Sequence, residues 1–423
     1  MNRSLPPPAR PIDRIRITQA STTHLTSGIT LHLIEAGEHD ILQLEIILHS
    51  GKWYEPANGI SFFASKMLSE GTSRRTSREI SEFFESLGAQ FILNPGLDLV
   101  ALTVICLEKH LNTIIPLVAE CLFNSSFPGS ELSILKDLQI QQIKVNHEKG
   151  SYVAAKEFRK MLFGTSHPYG QSLEIEDIGG SINPESLKHY HSGQLLKDME
   201  LILTGKIKEE HIHLLDTVFH LEPPVFAPAE RRENAGMIRP GLKKIPKPGS
   251  LQASLRYGKR IIQKTHPDYP GLMVLNELLG GFFGSRLMKN IREEKGYTYG
   301  IYSSIHNFLY DSYFVISADL IREHTLQAIE EINKELIRLQ TEPAGEEEME
   351  IVRNYMLGSF LSSLETSFSL TEKFKSIYFH GLGYDYYDRY LETVKTITPR
   401  QIQDLAAKYL SASEMSLVTV GEE

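Results

Sequence analysis

Apolar positions in the N-terminal half predict a series of strands and helices. Residues 29–37 and 40–50 have the composition of strands, and Ile and Leu dominate the second one. The segment Asn94–Asp98 places Pro and Gly between two apolar runs, which is a hairpin signal. A strand near Met199–Leu203 and a helix near Lys208–His220 close this half. The pattern therefore predicts a domain of mixed helices and strands.

The C-terminal half repeats the order of these elements. A Pro-rich stretch from Glu222 to Ser250 has the composition of an inter-domain linker. It is followed by a strand near Leu251–Tyr257, a helix that starts near Gly271, a Gly-rich turn, and further helices and strands. In the first half, Gly59 starts the corresponding helix. We therefore expect a duplicated α+β domain.

These patterns divide the 423 residues into four segments. We expect a flexible N-terminus over residues 1–20 and a first domain over residues 21–221. A linker over residues 222–250 and a second domain over residues 251–423 complete the chain. Two or more domains are usual for a chain of this length.

Composition restricts the class of protein. Apolar residues make up 41% of the chain and charged residues 23%, close to the average of soluble globular proteins. The 44 basic and 53 acidic residues give a net charge of −9, which disfavours a nucleic-acid partner. Cys106 and Cys121 cannot form a disulfide framework and suit a reducing compartment. Because no signal-peptide core or membrane-spanning apolar run is present, we expect a cytoplasmic protein without a membrane partner.

Residues 59–72 predict an amphipathic helix. Its apolar face consists of Ile60, Phe63, Ala64, Met67 and Leu68. A second helix follows, and Thr76 and Glu79 have the spacing of a capping box at its start. From the periodicity alone, the two helices pack against a core.

The first helix resembles the metal-binding helix of the insulinase/pitrilysin family, zinc peptidases with an inverted H-x-x-E-H motif. The frame of that helix is matched without a gap by Gly59, Ile60, Phe63, Met67, Leu68, Gly71 and Thr72. The segments 75–89 and 163–170 also resemble the family. The resemblance covers most of the chain. It implies two homologous α+β domains of the metallopeptidase type that face each other as half a clamshell.

At the positions where the resemblance implies zinc ligands and a glutamate base, this chain has residues that cannot serve in these roles. Phe62 stands at the first histidine, Ser65 at the glutamate base and Lys66 at the second histidine. The third ligand, a glutamate on a later helix, falls on Gln142. Zinc needs imidazole, thiolate or carboxylate ligands, and Phe, Lys and Gln provide none of these. We therefore expect no metal cofactor in this chain and no peptide hydrolysis by this chain alone.

No other histidine motif replaces the lost site. The 16 histidines include two pairs, His189 with His191 and His211 with His213, whose members are two residues apart. On a helix, such pairs point to different faces. We expect these histidines to lie on the solvated surface.

The second half retains the residue pair that binds substrate in active relatives. Residues 271–302 resemble the family's C-terminal domain. The resemblance implies that Arg292 and Tyr299 hold the substrate backbone and stabilise the oxyanion. A guanidinium and a phenol can both donate hydrogen bonds to a carbonyl oxygen that gains charge. The alternative is structural: Arg292 pairs with a nearby glutamate, and Tyr299 packs in the sheet.

Gly280, Gly281 and Gly284 form a Gly-rich turn before this pair. The turn either lets a peptide backbone approach or connects two helices. It is not a phosphate-binding loop, because it lacks the Gly-Lys-Ser/Thr ending.

These features favour a non-catalytic subunit that binds extended peptide and completes the active site of a zinc-bearing partner. In this family, the mitochondrial processing peptidase pairs unlike subunits in this way. The partner is either a zinc-bearing insulinase-like chain or a second copy of this chain. We expect the peptide to add to a sheet edge near Ala89–Asn94. Two alternatives stay open: a structural subunit, like the inactive core subunits of respiratory complexes, and a homodimeric peptide-binding protein without catalysis.

Overall fold

The computed structural model describes residues 15–220 and 239–421, which form two sheets and the helices that cover them. The strands are β1 (Ser21–His24), β2 (Thr30–Glu35), β3 (Ile41–Leu48), β4 (Gln90–Pro95), β5 (Val100–Leu107), β6 (Met199–Gly205), β7 (Leu242–Ile245), β8 (Gln252–Arg260), β9 (Thr298–Asn307), β10 (Ser312–Ile321) and β11 (Ser416–Val420). The helices are α1 (Ile60–Lys66), α2 (Ser77–Ser86), α3 (Leu111–Phe123), α4 (Gly129–His147), α5 (Gly150–Phe163), α6 (Pro184–Tyr190), α7 (Glu209–Val218), α8 (Tyr269–Asn276), α9 (Thr325–Thr341), α10 (Glu346–Ser362), α11 (Ser367–Tyr378), α12 (Asp385–Thr396) and α13 (Pro399–Tyr409). In the described part of the chain, no helix combines the length and the apolar composition needed to cross a bilayer.

The two sheets share one topology. The first has the strand order β1-β2-β6-β3-β5-β4, and the second has the order β7-β11-β8-β10-β9. In each sheet a single parallel pair, β2 with β6 and β7 with β11, joins strands that are otherwise antiparallel. If β1 is set aside, each strand of the first sheet has a counterpart at the same place in the second. This correspondence confirms the two homologous α+β domains predicted from the sequence.

The elements predicted from periodicity in the first half are present. The two predicted strands are β2 and β3, and the predicted hairpin is β4 and β5, closed by a hydrogen bond from the Gly96 N–H to the Leu99 carbonyl. Thr76 and Glu79 form the capping box of α2. The helix predicted over residues 59–71 is shorter, because α1 changes into a 3₁₀ turn over Met67–Ser69.

Parts of the predicted N-terminus and linker belong to the folded body. Residues 1–14 and 221–238 lie outside the described residues. Inside the predicted linker 222–250, strand β7 pairs with β11 and forms an edge of the second sheet. Within the predicted flexible N-terminus 1–20, Ile15 and Ile17 are partly buried against the second core.

Helix α5 of the first domain packs on the sheet of the second. It contacts β8 and β11, where Phe158 and Leu162 are buried together with Tyr313 and Val420. Burying a side chain of this size contributes about 1.5–3 kcal/mol. The apolar face of α5 therefore anchors the first domain on the second sheet.

Helix α11 of the second domain packs, in turn, on the sheet of the first. It contacts β2 and β6 of the first sheet, where Leu370 and Phe374 pack with Ile34, Ile47 and Ile202. Each sheet thus has its own helices on one face and a helix from the other domain on its second face. This explains why β3 is buried on both faces, including its polar Gln43 and Glu45; the Glu45 carboxylate pairs with Lys375 Nζ of α11 at 2.7 Å.

A polar network lies beside α11. The Glu200 carboxylate is bonded by His32 Nε2 at 2.9 Å and by His49 Nε2 at 3.0 Å, and Tyr378 of α11 also bonds to it. Burial opposes the charge on Glu200, but these hydrogen bonds outweigh burial and lower its pKa to about 2. Glu200 therefore stays ionised and stabilises the folded state above the pKa of an unfolded glutamate.

The variant Glu200→Gln tests this network. Since the folded pKa is lowered, the contribution of the ionised carboxylate is complete above the unfolded pKa of about 4.3 and is lost as pH falls toward the folded value. We expect the free energy of unfolding to be about 2–3 kcal/mol below that of the unsubstituted protein at pH 7, with the difference shrinking toward pH 3. Urea unfolding across this range measures it. The exposed Glu35→Gln is the control, and a difference independent of pH would contradict the assignment.

Candidate functional site

Helix α1 is held by its buried face and by a carboxylate cap. All five predicted apolar-face residues are buried in the first core. Gly59 precedes the helix with φ 95°, a left-handed conformation that favours glycine. The Glu55 carboxylate accepts hydrogen bonds from the N–H groups of Gly59, at 3.0 Å, and Ser61, at 3.1 Å. The position of α1 therefore depends on packing and capping alone.

The side chains of α1 at the predicted motif positions have other partners. The half-buried Phe62 ring packs edge-on against Phe63 at 5.2 Å. Ser65 is fully buried, and its hydroxyl donates to the Ser61 carbonyl at 2.7 Å. Lys66 Nζ donates to the Leu93 carbonyl at 2.5 Å, and burial lowers its pKa. Lys66 thus links α1 to the edge strand β4.

Gln142 and Gln139 lie one turn apart on α4. Gln142 is exposed, and its amide nitrogen donates to Asn146 Oδ1 at 3.0 Å. Gln139 lines the same cleft as Phe62. The structure therefore places Gln139, which the sequence analysis did not select, beside the altered motif.

We call this concavity the α1 cleft, a space of about 300 Å³ beside the first turn of α1. Its floor and walls come from α1, α4, α5, the turn after β4 and the loop that follows α5. Its side chains include Lys52, Glu55, Phe62, Gln139, Tyr152 and Arg159. Of the four predicted motif positions, Phe62 is the one that lines this cleft, together with the Gln139 amide, the Glu55 carboxylate and two cations, Lys52 and Arg159.

Arg292 lies in a π-helical segment, Met288–Glu294. Its guanidinium lies over the Phe283 ring, 4.5 Å from the centroid, and Nη1 is 3.7 Å from Glu293 Oε1. About one third of the side chain is exposed (33%). A surface ion pair of this length contributes little, so the guanidinium is available to a ligand.

Tyr299 lies at the start of β9, the edge strand of the second sheet. Its side chain is 91% exposed and makes no hydrogen bond or ring contact with any described residue. Phe283, the ring under the Arg292 guanidinium, is also exposed. The packing alternative for Tyr299 therefore does not hold.

The glycines of the turn serve close packing. A Cβ on Gly280 would lie 2.6 Å from the backbone nitrogen of Ser303 on β9. A Cβ on Gly281 would meet the Glu277 carboxylate, and one on Gly284 would meet the Phe282 ring. Gly280 lets the helix that precedes Arg292 approach β9, which favours the structural interpretation of this turn.

The buried histidines correct one expectation from the sequence. His191 is buried, with Nε2 2.6 Å from the Leu122 carbonyl oxygen. His211 is buried as well, whereas His213 is exposed, so the members of that pair point to different faces as predicted. Two of the four histidines therefore serve the folded interior instead of the solvated surface.

One cluster among the described residues brings three possible metal ligands together: Glu108, Glu210 and His211. Lys208 Nζ lies 2.5 Å from Glu108 Oε1. Because this ammonium already neutralises the carboxylate, the cluster is an ion-pair network that disfavours a further cation.

Comparison with known sequences accounts for both halves of this arrangement. The profile described as Insulinase (Peptidase family M16) matches residues 33–177, and that of the Peptidase M16 inactive domain matches residues 181–356. The chain belongs to the insulinase family. The second of these profiles is described as that of an inactive domain, and the chain is a homologue of the peptidases of that family.

Relatives of this insulinase-family chain carry different descriptions. The "Uncharacterized zinc protease YmxG" of Bacillus subtilis is 27% identical over 315 residues, which cover 73% of this chain and 75% of the relative. The "Non-peptidase homolog YmxG" of Helicobacter pylori is 19% identical over 380 residues, 86% and 85% of the two chains. The family thus includes relatives described as proteases and others described as non-peptidases.

Solved structures confirm the fold over nearly the whole chain. A peptidase M16 inactive domain from Pseudomonas fluorescens superposes with a TM-score of 0.87 at 23% identity, covering 96% of this chain and 98% of the other. A protease from Helicobacter pylori superposes with a TM-score of 0.86 at 15% identity, covering 96% and 100%. At these identities, the likeness shows the fold alone.

The residues of α5 that line the α1 cleft were not predicted from the sequence. Tyr152 and Arg159 lie seven residues apart, about two helical turns, and therefore on one face of α5. That spacing was visible in the sequence. Their position beside Phe62 was not, because it depends on where α5 packs.

The purified chain is expected to hold far less than one zinc ion per chain. Phe62, Lys66 and Gln142 offer no zinc ligand, and the Glu108 cluster already contains an ammonium. Elemental analysis by mass spectrometry after purification without chelator measures this. One zinc per chain would contradict the assignment.

The second test restores the motif with Phe62→His, Ser65→Glu, Lys66→His and Gln142→Glu. Because α1 is held by packing and capping, we expect the folded quadruple variant to take up one zinc ion in a calorimetric titration. The triple variant that retains Gln142 is the control, and we expect it to bind more weakly. A parallel variant with Gln139→Glu in place of Gln142→Glu tests the register; uptake by this variant alone would place the third-ligand position one turn earlier.

Proposed function

We propose that this chain is a non-catalytic peptidase subunit that binds extended peptide and completes the active site of a zinc-bearing insulinase-family partner. The partner would supply the metal and the nucleophile. This chain would supply Arg292 and Tyr299 as donors to the substrate carbonyl. The proposal concerns proteolysis by the complex, since this chain lacks the metal ligands and the carboxylate base.

The exposure of Tyr299 is the observation that carries the proposal. A tyrosine ring that is 91% exposed on an edge strand contributes little to the stability of its own domain. Its phenol is free to donate a hydrogen bond to a ligand. Such a side chain is expected where a second molecule covers the surface.

Arg292 supports the same role. Its position over Phe283 restricts the side chain without using the donors of the guanidinium, and its contact with Glu293 is long. A guanidinium held in this way can form two hydrogen bonds to a peptide carbonyl as negative charge develops there. Preorganised donors of this kind stabilise the transition state more than the bound substrate.

The edge strands provide a route for the peptide. Strand β4, where we expect the peptide to add, is the edge of the first sheet, and β9 is the edge of the second. An edge strand leaves backbone N–H and carbonyl groups available on one side. Lys66 fixes β4 to α1, so this edge is held in place without a metal.

The proposed compartment is the cytoplasm. Cys106 and Cys121 are both buried and free. Burial raises the pKa of Cys106 to about 11, so this thiol stays protonated at neutral pH. This chemistry is compatible with a reducing compartment.

Reconstitution with a zinc-bearing partner from the same host tests the proposal. The partner alone should bind zinc but cleave a peptide poorly, and adding this chain should restore cleavage. We expect Arg292→Ala or Tyr299→Phe in this chain to lower the turnover of the complex by about 10²–10³-fold, the usual cost of losing one oxyanion donor. Gel filtration should show unchanged assembly.

Tyr302→Phe is the matched control, because Tyr302 lies on the same strand and is 48% exposed. Its turnover should equal that of the unsubstituted complex. If Arg292→Ala and Tyr299→Phe also assemble and cleave at the unsubstituted rate, the structural-subunit alternative replaces the proposal. If this chain binds peptide but a zinc-bearing partner cleaves no faster in its presence, the homodimeric peptide-binding alternative is favoured.

A further inference from the structure

The α1 cleft contains a cation whose charge is not used in the fold. Arg159 projects from α5 into the cleft and is half-buried. Among the described residues, none accepts a hydrogen bond from its guanidinium or forms an ion pair with it. A guanidinium carries five donors, and enclosing it in a cleft is unfavourable unless an acceptor reaches it.

The neighbouring charges do not neutralise Arg159. Glu55 is the acidic residue among the described residues that line the cleft, and its carboxylate caps α1 through Gly59 and Ser61. Lys52 also lines the cleft and donates to Asn58 Oδ1 at 2.7 Å. The described residues that line the cleft therefore carry two positive charges and one negative charge.

The positive charge of Arg159 also acts on His306, which lies outside the cleft lining. Burial lowers the pKa of His306, and the charges of Arg159 and Arg256 lower it further. His306 is therefore neutral at physiological pH and adds no charge of its own. The positive potential around Arg159 favours an anionic ligand.

The remaining walls suit a small polar group attached to a chain. Gln139, Gln171 and Tyr152 line the cleft and can donate hydrogen bonds, while Phe62 and Leu97 provide apolar surface. The volume of about 300 Å³ is sufficient for one or two side chains. The cleft also begins where β4 ends, since Pro95, Gly96 and Leu97 form one wall.

We propose that the α1 cleft binds a carboxylate of a peptide, with Arg159 as its main ligand. The inference rests on the proposed function, because it assumes a peptide that adds along β4 and reaches the end of that strand. The carboxylate belongs either to an acidic side chain or to the C-terminus of the peptide. In both cases it forms charge-assisted hydrogen bonds to the guanidinium.

Fluorescence anisotropy with the full-length chain and three labelled peptides tests this site. The first peptide is neutral, acetylated and amidated; the second differs by one Glu; the third is the neutral sequence with a free C-terminus. We expect at least one carboxylate-bearing peptide to bind about tenfold or more tightly than the neutral one, as a charge-assisted hydrogen bond in a cleft contributes. The peptide whose affinity exceeds that of the neutral peptide shows whether the carboxylate belongs to a side chain or to the C-terminus.

Arg159→Gln should remove this gain and leave the affinity for the neutral peptide unchanged. Lys160→Gln is the matched control, because Lys160 is the exposed neighbour of Arg159 on α5 and does not line the cleft. We expect Lys160→Gln to retain the gain. Arg159→Lys keeps the charge without the planar fork and should lose part of the gain, so it provides a second test if Arg159→Gln does not fold by circular dichroism.

The outcomes separate this inference from the proposed function. If all three peptides bind equally well, or if Arg159→Gln preserves the preference, the carboxylate site is wrong and peptide binding stands. If no peptide binds, peptide binding by this chain is wrong and the carboxylate site fails with it. Loss of the preference in Arg159→Gln alone supports the site.

Discussion

Helix α5 of the first domain packs on the second sheet, and helix α11 of the second domain packs on the first sheet. This reciprocal packing joins the two domains and positions the other elements. Each sheet buries side chains on both faces, and its own domain covers only one of them. On the second face of the first sheet, apolar residues lie beside buried polar ones such as Glu45, which pairs with Lys375 of α11 at 2.7 Å. The second face is covered by a helix from the other domain. Because neither sheet could bury this face alone, the two duplicated domains fold as partners. The hydrogen-bonded network of Glu200, His32 and His49 lies beside α11 at the same junction.

The same exchange builds the α1 cleft. Arg159 and Tyr152 belong to α5, which lies where it does because Phe158 and Leu162 are buried against the second sheet. Their side chains then reach the space beside Phe62. Packing between the domains thus forms one wall of the cleft. One face of α5 places Arg159 in the cleft, and another face buries Phe158 and Leu162.

Helix α1 is positioned by apolar packing and by polar contacts at its two ends. In its family, this helix bears metal ligands, yet here Phe62, Ser65 and Lys66 occupy those positions while the apolar face is buried in full. The Glu55 cap and the contact from Lys66 to β4 hold the helix without a metal. The surface beside α1 on which the proposed peptide would lie is therefore positioned by contacts within the chain.

Residue order was sufficient to predict many of the elements and the duplication of the α+β domain. Periodicity is a local property, so the face of α1, the β4–β5 hairpin and the capping box at Thr76 could be predicted from residue order alone. Three features could be seen only in the folded chain. Tyr299 is exposed, residues 242–245 form a strand, and Arg159 lines the cleft beside Phe62. Exposure, strand pairing and cleft formation depend on contacts between segments far apart in the chain, and no local pattern specifies which distant segment will cover a given side chain.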